Sequence, residues 1–451
     1  MALKKENIVM FPFMAQCHII SFLALALHIE RTKGYDITFV NTSLNVKKLK
    51  SSLPPSSSIH LLEIPFDSSG HGLPPDTENT DVLSYPLIIR LLHASTSLEP
   101  AFRKLIQDIA HEQGRQPPPC IIADIFFGWT ATVAKELGVF HAVFSGAGGY
   151  GLACYYSVWL TLPHRNAKSD EFKLQDFKEV SKLHVTKLPL SISEADGSDS
   201  WSVFQRKNLP AWVDSNGILF NTVKEFDQIA AWAIGPVLLP TKNRARSGKE
   251  ARIVSTDLCK KCPERKPVNS VLYVSFGSHN TIAPSQMMQL AMALEASGKN
   301  FIWVVRPPIG FDIKSEFRGD EWLPKKFEER IKESGRGLLV HKWAPQVEIL
   351  SHKSTCAFLS HCGWNSTLEA LNRRVTLIGW AMAAEQFFNV KFLEEELGVC
   401  VAVASGKTCE VRYQDIKAKI ELAMNETQKK GKEIKRKACE VMEMIKKCHE
   451  R

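Results

Sequence analysis

The chain has 451 residues, of which 44% are hydrophobic and 23% are charged, and its formal net charge is +9. These proportions are typical of a globular protein and exclude a disordered or fibrous chain, and the length favours two or three domains. Much of the positive charge lies in residues 242–266 and 429–451, where acidic residues are interspersed, as on a solvated surface. We therefore expect no nucleic-acid partner.

The eleven cysteines follow no framework, which predicts a reduced, intracellular protein. Cys259 and Cys262 form one CxxC pair, but no second pair follows at zinc spacing, so we interpret them as surface cysteines and expect no metal site. Pro12 and Gln16 interrupt the first apolar run, which predicts a strand rather than a signal peptide. The uncharged stretch 139–162 contains several glycines and predicts strand, loop and helix rather than a membrane span. We expect a soluble, cytoplasmic monomer without membrane insertion.

Short apolar runs rich in β-formers alternate with helix-like periods along the whole chain. In the first half these runs are 7–12, 36–40, 59–64, 120–124, 140–144 and 217–221. In the second half they are 271–276, 300–306, 337–341, 356–360, 375–379 and 399–403. Strands that are apolar on both faces and alternate with helices are typical of parallel sheets covered on both sides.

The two series of strands predict an α/β protein with two doubly wound domains. A charged stretch separates the series, so we place the domains at residues 1–240 and 268–451 with a linker at 241–267. Ligands of open α/β sheets bind outside the carboxyl ends of the strands, so two facing domains predict one cleft between them.

One segment, residues 343–386, concentrates groups suited to a nucleotide diphosphate that carries a sugar. The apolar run 356–360 predicts a strand, and the helix that follows it presents free backbone amides and a positive dipole end to a diphosphate. His361, Asn365 and Ser366 can add side-chain donors, and Glu369 can accept from the two hydroxyls of a ribose.

Trp343, at the start of the segment, offers a face on which a uracil could stack. Each residue also has a purely structural interpretation. Ser366 and Glu369 have the spacing of a helix capping box, Trp343 could be a core residue, and His361 could be a satisfied turn histidine. The ordered combination favours the ligand-binding interpretation.

This segment resembles the signature box of plant UDP-dependent glycosyltransferases that act on small molecules. The matching motifs are WAPQ at 343–346, FLSHCGWNSTLE at 358–369 and the closing Glu385-Gln386 pair. Further landmarks of that family match at 13–26, 121–129, 232–237 and 271–278. The resemblance implies a GT-B fold in which the N-terminal domain binds an acceptor and the C-terminal domain binds a UDP-sugar.

The resemblance also assigns roles to individual residues of the donor site. For the nucleoside, it implies that Trp343 stacks on uracil, that Ala344 and Gln346 contact the base or ribose, and that Glu369 holds the ribose. For the diphosphate, it implies contacts from Ser278, His361, Asn365 and Ser366, and it places Gly363 in the same substrate-binding set. For the sugar, it implies contacts from Trp364, Glu385 and Gln386. A glutamine at the end of the box usually accompanies UDP-glucose, so the resemblance implies glucose as the sugar.

His18 and Asp124 form the candidate catalytic pair. His18 follows the first strand and opens a helix, where the dipole disfavours imidazolium, so we expect a neutral base near pH 7. Asp124 ends an apolar strand and needs a partner, which a histidine could supply. The alternatives are a capping histidine and a capping aspartate, and sequence spacing cannot show that the two residues touch.

The resemblance implies that they do touch, with His18 as general base and Asp124 as its orienting residue. It implies inverting transfer of glucose from UDP-glucose, as co-substrate, to a hydroxyl of a small plant-type metabolite, with no metal or other cofactor. Phe126, Trp129 and Tyr150 are candidate apolar walls of the acceptor pocket, although core packing explains them equally well.

Gly146, Gly148 and Gly151 match the dinucleotide fingerprint GxGxxG after a strand. They lie well beyond the first βα unit, and the acidic residue about twenty positions on, Asp170, lies in a polar loop. We therefore do not interpret this motif as a nicotinamide-cofactor site.

The chain departs from the family pattern at several positions. Cys17 replaces a usual glycine before the histidine, Ser21, Thr376 and Ala381 replace usual prolines, and Arg374 replaces a glycine. If Arg374 takes the left-handed conformation, we expect strain of about 1 kcal/mol.

A family helix before Trp232 is missing, and the chain stops at Arg451, near where relatives return to the first domain. These departures define the alternative hypothesis, a degenerate relative that binds UDP or a UDP-sugar with little or no turnover.

Overall fold

The computed structural model describes residues 6–228, 232–239, 259, 263–278, 280–313, 315–407, 409–425 and 427–449. Within these ranges the chain forms two parallel sheets, one in each half, with helices on both faces of each sheet. The α/β prediction with two doubly wound, Rossmann-like domains is confirmed.

The first half contains a seven-stranded parallel sheet in the order β3-β2-β1-β4-β5-β8-β9. Its elements in chain order are β1 Asn7–Phe11, α1 Gln16–Lys33, β2 Asp36–Thr42, α2 Ser43–Lys50, β3 His60–Ile64, α3 Tyr85–Ala94, α4 Glu99–Glu112, β4 Cys120–Asp124, α5 Trp129–Glu136, β5 Phe140–Ser145, α6 Gly149–Thr161, β6 Glu171–Phe172, β7 Leu183–His184, α7 Leu190–Ser193, α8 Ser200–Ala211, β8 Gly217–Phe220 and β9 Trp232–Ala233. Strands β6 and β7 form a separate antiparallel pair.

The second half contains a six-stranded parallel sheet in the order β12-β11-β10-β13-β14-β15. Its elements are β10 Val271–Ser275, α9 Pro284–Ala296, β11 Asn300–Val305, α10 Gly319–Trp322, α11 Phe327–Glu333, β12 Gly337–His341, α12 Gln346–Ser351, β13 Thr355–Ser360, α13 Trp364–Leu371, β14 Thr376–Ala381, α14 Gln386–Lys391, β15 Cys400–Ser405, α15 Tyr413–Met424 and α16 Lys429–His449.

The alternating directions of side chains along the central strands explain why both faces of each sheet are covered. On β1, Val9 and Phe11 pack into one apolar core and Ile8 and Met10 pack into another on the opposite face. Side chains of a strand point alternately to the two faces, so a fully apolar strand requires cover on both sides.

All twelve strands expected from the apolar runs are present, with ends that differ by at most a few residues. Residues 139–162 form β5, a loop and α6, as predicted. The pattern missed β6, β7 and β9, because two-residue strands show no detectable alternation. None of the described helices is long and apolar enough to cross a bilayer.

The predicted domain limits 1–240 and 268–451 remain a prediction. The two sheets lie within 7–233 and 271–405, on either side of the proposed linker at 241–267. Most of that linker, together with Cys262 and residues 229–231 of the expected deletion before Trp232, lies outside the described residues. Cys259 is only 2% exposed and packs into the apolar core, so the expectation that it is a surface cysteine is wrong.

The two halves meet through α6, and two glycines make this contact possible. A side chain at Gly148 would overlap the Trp364 ring, and one at Gly151 would overlap the Asn389 amide. Asp227 accepts hydrogen bonds from the first amides of α6, at Gly149 and Tyr150. Close packing between the halves thus explains Gly148 and Gly151, whereas a side chain at Gly146 would overlap Ser21 within the first half. The helix start already has a carboxylate partner.

Two departures from the family pattern have clear local consequences. The Thr376 hydroxyl is buried and donates to the Cys356 carbonyl at 3.0 Å, so this threonine is satisfied at the start of β14. Arg374 has φ of 51°, as expected for a residue in the usual glycine position after a helix.

Replacing Arg374 by glycine should therefore stabilise the protein by about 1 kcal/mol, because glycine has no Cβ to oppose a positive φ. Urea unfolding monitored by circular dichroism would measure the gain. Arg374→Ala, which removes the charge but keeps the Cβ, is the matched control and should give no comparable gain. Equal stabilisation by both variants would contradict the backbone explanation.

His141 on β5 should make stability depend on pH. It is 1% exposed, its ring nitrogens lie 3.0 Å from the hydroxyls of Thr130 and Ser215, and burial lowers its pKa from 6.5 to about 4. The unfolded chain then binds a proton at higher pH than the folded one. The stabilisation that neutral His141 gives to the folded state is therefore complete above about pH 6.5. Up to about 3 kcal/mol of the free energy of unfolding should be lost as the pH falls towards 4.

Urea unfolding at pH 4.5 and at pH 7.5 would measure this dependence. His141→Gln removes the titrating group and should reduce the difference in unfolding free energy between the two pH values. The exposed His60→Gln should leave it unchanged. An unaltered pH dependence in His141→Gln would argue against this assignment.

Candidate active site

His18 and Asp124 lie side by side although 106 residues separate them in the sequence. Asp124 is the last residue of β4, and His18 lies in the first turn of α1, directly after β1. Because β1 and β4 are neighbouring parallel strands, both residues lie at the same edge of the sheet. His18 Nδ1 is 2.8 Å from Asp124 Oδ2, and the Phe126 amide donates to Oδ1 at 3.1 Å.

The direction of the His18 pKa shift differs from the one expected from the helix dipole. Burial, the largest single effect, lowers the pKa of His18, but Asp124 and Cys17 together raise it by more, so the pKa lies well above the usual value. The helix dipole suggested the opposite direction. The nearby full negative charge of Asp124, which is only 1% exposed, outweighs the partial charge of the helix end.

Aromatic rings surround the His18 imidazole. The Phe126 ring centroid is 5.3 Å from that of His18, and the Phe13 ring lies 5.8 Å away in an edge-on arrangement. Of the three candidate acceptor walls, Phe126 is therefore beside the dyad. Trp129 packs against core rings such as Phe11, and Tyr150 stacks on Phe392 at the contact between the halves.

The helix start expected to hold a diphosphate is present. Helix α13 begins at Trp364 with Gly363 as its N-cap and without a side-chain cap. Ser366 therefore lies inside the first turn, and the capping-box interpretation of Ser366 and Glu369 is wrong. The buried His361 ring packs closely against Gly277 and Gly363, where added side chains would overlap it.

The loop between β10 and α9 approaches the same place. Gly277 has φ of 80°, a conformation that favours glycine, and Ser278 follows it at the surface. His361 thus lies between the Ser278 loop and the start of α13, which brings the residues expected to contact phosphate to one edge of the second sheet.

The residues expected to contact the nucleoside form a connected group. Gln346 Nε2 donates to the Glu369 carboxylate at 2.8 Å and to the Ser366 hydroxyl at 3.0 Å. Trp343 is half-buried in the loop after β12, and Ala344 beside it is buried. The core-residue interpretation of Trp343 does not fit this partial exposure.

Glu385 and Gln386 lie where β14 turns into α14. Gln386 Oε1 accepts from the backbone amides of Met382 and Ala383, both at 3.1 Å, which orients its NH₂ group in the opposite direction. Burial raises the pKa of Glu385, and the charge of His18 opposes this effect. Glu385 and His18 therefore lie near each other although they belong to different halves of the chain.

Two residues of the second half are engaged with the first half. The Trp364 indole donates to the Asn221 carbonyl at 2.8 Å. A hydrogen bond from Trp364 to the sugar would therefore have to come from its backbone amide. Asn365 Nδ2 donates to the Cys17 carbonyl at 3.2 Å, and Asn365 Oδ1 lies 3.1 Å from the Ser21 hydroxyl. Ser21, which replaces a usual proline, therefore connects the phosphate residue Asn365 to the helix that carries His18.

Arg306 was not identified from the sequence. It follows β11, and its guanidinium donates to the carbonyls of Gly277 and Lys342, the residues that precede Ser278 and Trp343. It therefore fixes the two loops that carry the expected phosphate and uracil contacts. A basic residue directly after an apolar strand was the available signal.

Across the described ranges, no three His, Cys, Asp or Glu side chains are grouped so that they could hold a metal ion.

Comparisons with known proteins identify the family of the chain. The family profile of UDP-glucoronosyl and UDP-glucosyl transferase matches residues 263–435. UDP-glycosyltransferase 92A1 of Arabidopsis thaliana is 51% identical, with 97% of this chain and 92% of the relative covered. Crocetin glucosyltransferase 3 of Crocus sativus is 41% identical, with coverage of 93% and 90%.

Solved structures show the same architecture. UGT73P12 of Glycyrrhiza uralensis, complexed with glycyrrhetinic acid 3-O-monoglucuronide, gives a TM-score of 0.82 at 26% identity, over 98% of this chain and 92% of the other. UGT2 of Phytolacca americana, complexed with UDP-2fluoro-glucose and pterostilbene, gives 0.75 at 26% identity, with coverage of 98% and 95%. The chain therefore has the GT-B fold and belongs to the plant UDP-glycosyltransferase family.

Proposed function

We propose that this glycosyltransferase moves glucose from UDP-glucose to a hydroxyl of a small plant-type metabolite, with inversion at the anomeric carbon. One observation carries the proposal: His18 is hydrogen-bonded to Asp124 at 2.8 Å and interacts electrostatically with Glu385. The proposed general-base dyad also lies beside the start of α13, because Asn365 donates to the carbonyl of Cys17, the residue before His18.

His18 acts as the general base through Nε2, because Asp124 occupies Nδ1. Nε2 takes the proton of the acceptor hydroxyl while the oxygen forms a bond to the anomeric carbon. The bond from that carbon to the UDP oxygen breaks, and UDP leaves with its electron pair. Asp124 stabilises the imidazolium that forms, as in other base and orienter pairs.

The leaving diphosphate is stabilised by groups of this chain. The first amides of α13 supply donors and a positive dipole end, and His361, Asn365, Ser366 and Ser278 add polar side chains at the same edge. This donor set requires no metal ion, so we propose a reaction without a metal or other cofactor.

The donor assignment rests on the second half. Trp343 is proposed to stack on uracil, Ala344 and Gln346 to contact the base or ribose, and Glu369 to bind the ribose hydroxyls. Gln386 is oriented to donate from its NH₂ group, beside Glu385. Glucose is favoured by this closing glutamine and by the name of the crocetin glucosyltransferase relative.

A degenerate relative without turnover is the alternative. It is favoured by the direct hydrogen bonds of Trp364 and Asn365 to the first half, because these residues belong to the proposed donor site. Incubation with UDP-glucose and a panel of flavonoids, phenols and terpenoids, with UDP release and glucoside formation as readouts, separates the two. A rise in melting temperature with UDP but no product would support the alternative.

Replacing His18 by alanine should lower kcat about 10²- to 10⁴-fold, the usual contribution of a general base. Wild-type kcat/KM should rise with pH as the imidazolium loses its proton, at a pH above the ordinary histidine value because Asp124 raises that pKa. In Asp124→Asn this rise of kcat/KM, the acidic limb of the pH profile, should move to lower pH.

Thermal unfolding with and without UDP is the control for these kinetic measurements. UDP should raise the melting temperature of both variants as it does for the wild type, which would show that the donor site is intact. Unchanged transfer by His18→Ala, or a limb that stays in place in Asp124→Asn, would refute the proposed pair.

Replacing Ser21 by alanine should raise KM for UDP-glucose about 5- to 10-fold, the effect of losing roughly one hydrogen bond. The Ser21 hydroxyl donates to the Asn365 oxygen, and one N–H of the same amide donates to the Cys17 carbonyl, so these contacts hold the amide in place and leave its second N–H for the anion. Ser21→Thr keeps the hydroxyl and should restore the KM, and Ser43→Ala at an exposed hydroxyl should have no effect. An equal rise in the acceptor KM would indicate general disturbance instead.

A further inference from the structure

A row of basic side chains lies along the edge of the second sheet at which its strands begin. Five of the six strands have a basic residue within the five positions that precede them. The remaining strand, β15, follows Gly398, where an added side chain would overlap Lys437 of α16. We call this row the basic edge. In the order of the sheet from β12 to β15, its members are Arg336, Lys299, Lys266, Lys353, Arg374 and Lys437.

The parallel sheet makes the basic edge an extended row. All six strands run in the same direction, so their starts lie at one edge. Neighbouring strands are about 4.8 Å apart, so six strand starts span about 24 Å. The start of α13 and the loops that carry Ser278 and Trp343 lie at the opposite, carboxyl edge. The basic edge is therefore separate from the candidate active site.

The charge of the basic edge is not neutralised by ion pairs of the chain. Across the described part of the chain, none of its six side chains pairs with a carboxylate. Glu295, which interacts electrostatically with Arg336, already pairs with Arg330. Lys353 and Arg374 are exposed, and the other members are half-buried. The row thus presents positive charge to the solvent.

Helix α16 adds further positive charge at the same place. Ile434 packs into the core on one face of the second sheet and Ala438 into the core on the other face, so the helix passes beneath the basic edge. Its first turn contains the exposed Lys429, Lys430 and Lys432 and no acidic residue. Lysines are unfavourable there, because the dipole already makes the start of a helix positive. An external anion explains this arrangement better than helix stability does.

We propose that the basic edge and the first turn of α16 dock the protein onto a membrane surface that contains anionic phospholipids. A row of separate charges, without a pocket, suits an extended anionic surface better than a single small anion. Each lysine or arginine close to such a surface adds to the attraction, which falls off over about 10 Å at about 0.1 M salt. Docking by this edge leaves the cleft, at the opposite edge, open to solutes. The inference does not depend on the proposed function.

Nucleic acid is the other extended polyanion, and the chemistry of this surface favours lipid. Proteins that bind single strands stack the bases on aromatic rings, and readers of duplex DNA insert a helix or strand into a groove. Among the described residues of the second half, Phe311 is the exposed Phe, Tyr or Trp, and it follows β11 at the opposite edge. Helix α16 packs against the sheet through its apolar residues and does not project from it.

Flotation of the full chain with lipid vesicles tests the proposal. Binding to phosphatidylcholine vesicles with about 30% phosphatidylserine should be at least about tenfold stronger than binding to phosphatidylcholine alone, and should be lost between about 50 and 300 mM salt. Saturating UDP should leave the binding unchanged, because the candidate donor site lies at the other edge of the sheet.

A triple variant tests the surface itself. Lys353→Glu, Lys430→Glu and Lys432→Glu together reverse three exposed charges and should weaken binding to the anionic vesicles at least about tenfold. The melting temperature should equal or exceed that of the wild type, because glutamate is favoured at the start of a helix. Lost binding then cannot be attributed to unfolding.

The matched control carries the same net charge but changes the first half. It reverses three exposed basic residues there and should alter vesicle binding by no more than about twofold. These substitutions are Lys47→Glu, Arg115→Glu and Lys207→Glu.

Each other outcome counts against the proposal. Equal binding to neutral and anionic vesicles, or unchanged binding of the basic-edge variant, would overturn it. Equal weakening by both triple variants would indicate a general effect of net charge, and displacement by UDP would indicate headgroups in the donor site. Binding to a DNA duplex or single strand under conditions where the anionic vesicles are not bound would assign the surface to nucleic acid instead.

Discussion

Parallel pairing of β1 with β4 is the constraint on which the catalytic chemistry depends. It places the start of α1 and the end of β4 at one edge of the first sheet, so that a histidine and an aspartate 106 residues apart come within 2.8 Å. The buried carboxylate, together with Cys17, then raises the pKa of His18 against the effect of desolvation. The hydrogen bond between His18 and Asp124 and the raised pKa of His18 therefore both follow from the pairing of β1 with β4.

The second sheet repeats this arrangement for a different task. Its carboxyl edge carries the start of α13, the Gly277 loop and the loop with Trp343, and Arg306 joins the last two through their carbonyls. Backbone amides and a helix dipole suit a diphosphate, since they supply positive potential without mobile side chains. Contacts through Gly148 and Gly151 bring this edge towards the dyad.

The contact between the halves combines stability with function. Trp364, Asn365 and Ser21 hold the halves together and also belong to, or support, the proposed donor site.

The sequence by itself determined the twelve main strands, the parallel α/β class, the donor segment and the identity of His18 and Asp124, because these depend on local periodicity, helix starts and residue chemistry. It also indicated the left-handed backbone at Arg374, which is a local property. Only the tertiary structure decided that His18 touches Asp124, that the pKa of His18 rises, that Ser21 reaches Asn365, and that the Trp364 indole donates to the Asn221 carbonyl. Each of these depends on a distance between segments far apart in sequence, which strand pairing and helix packing set and no local pattern contains.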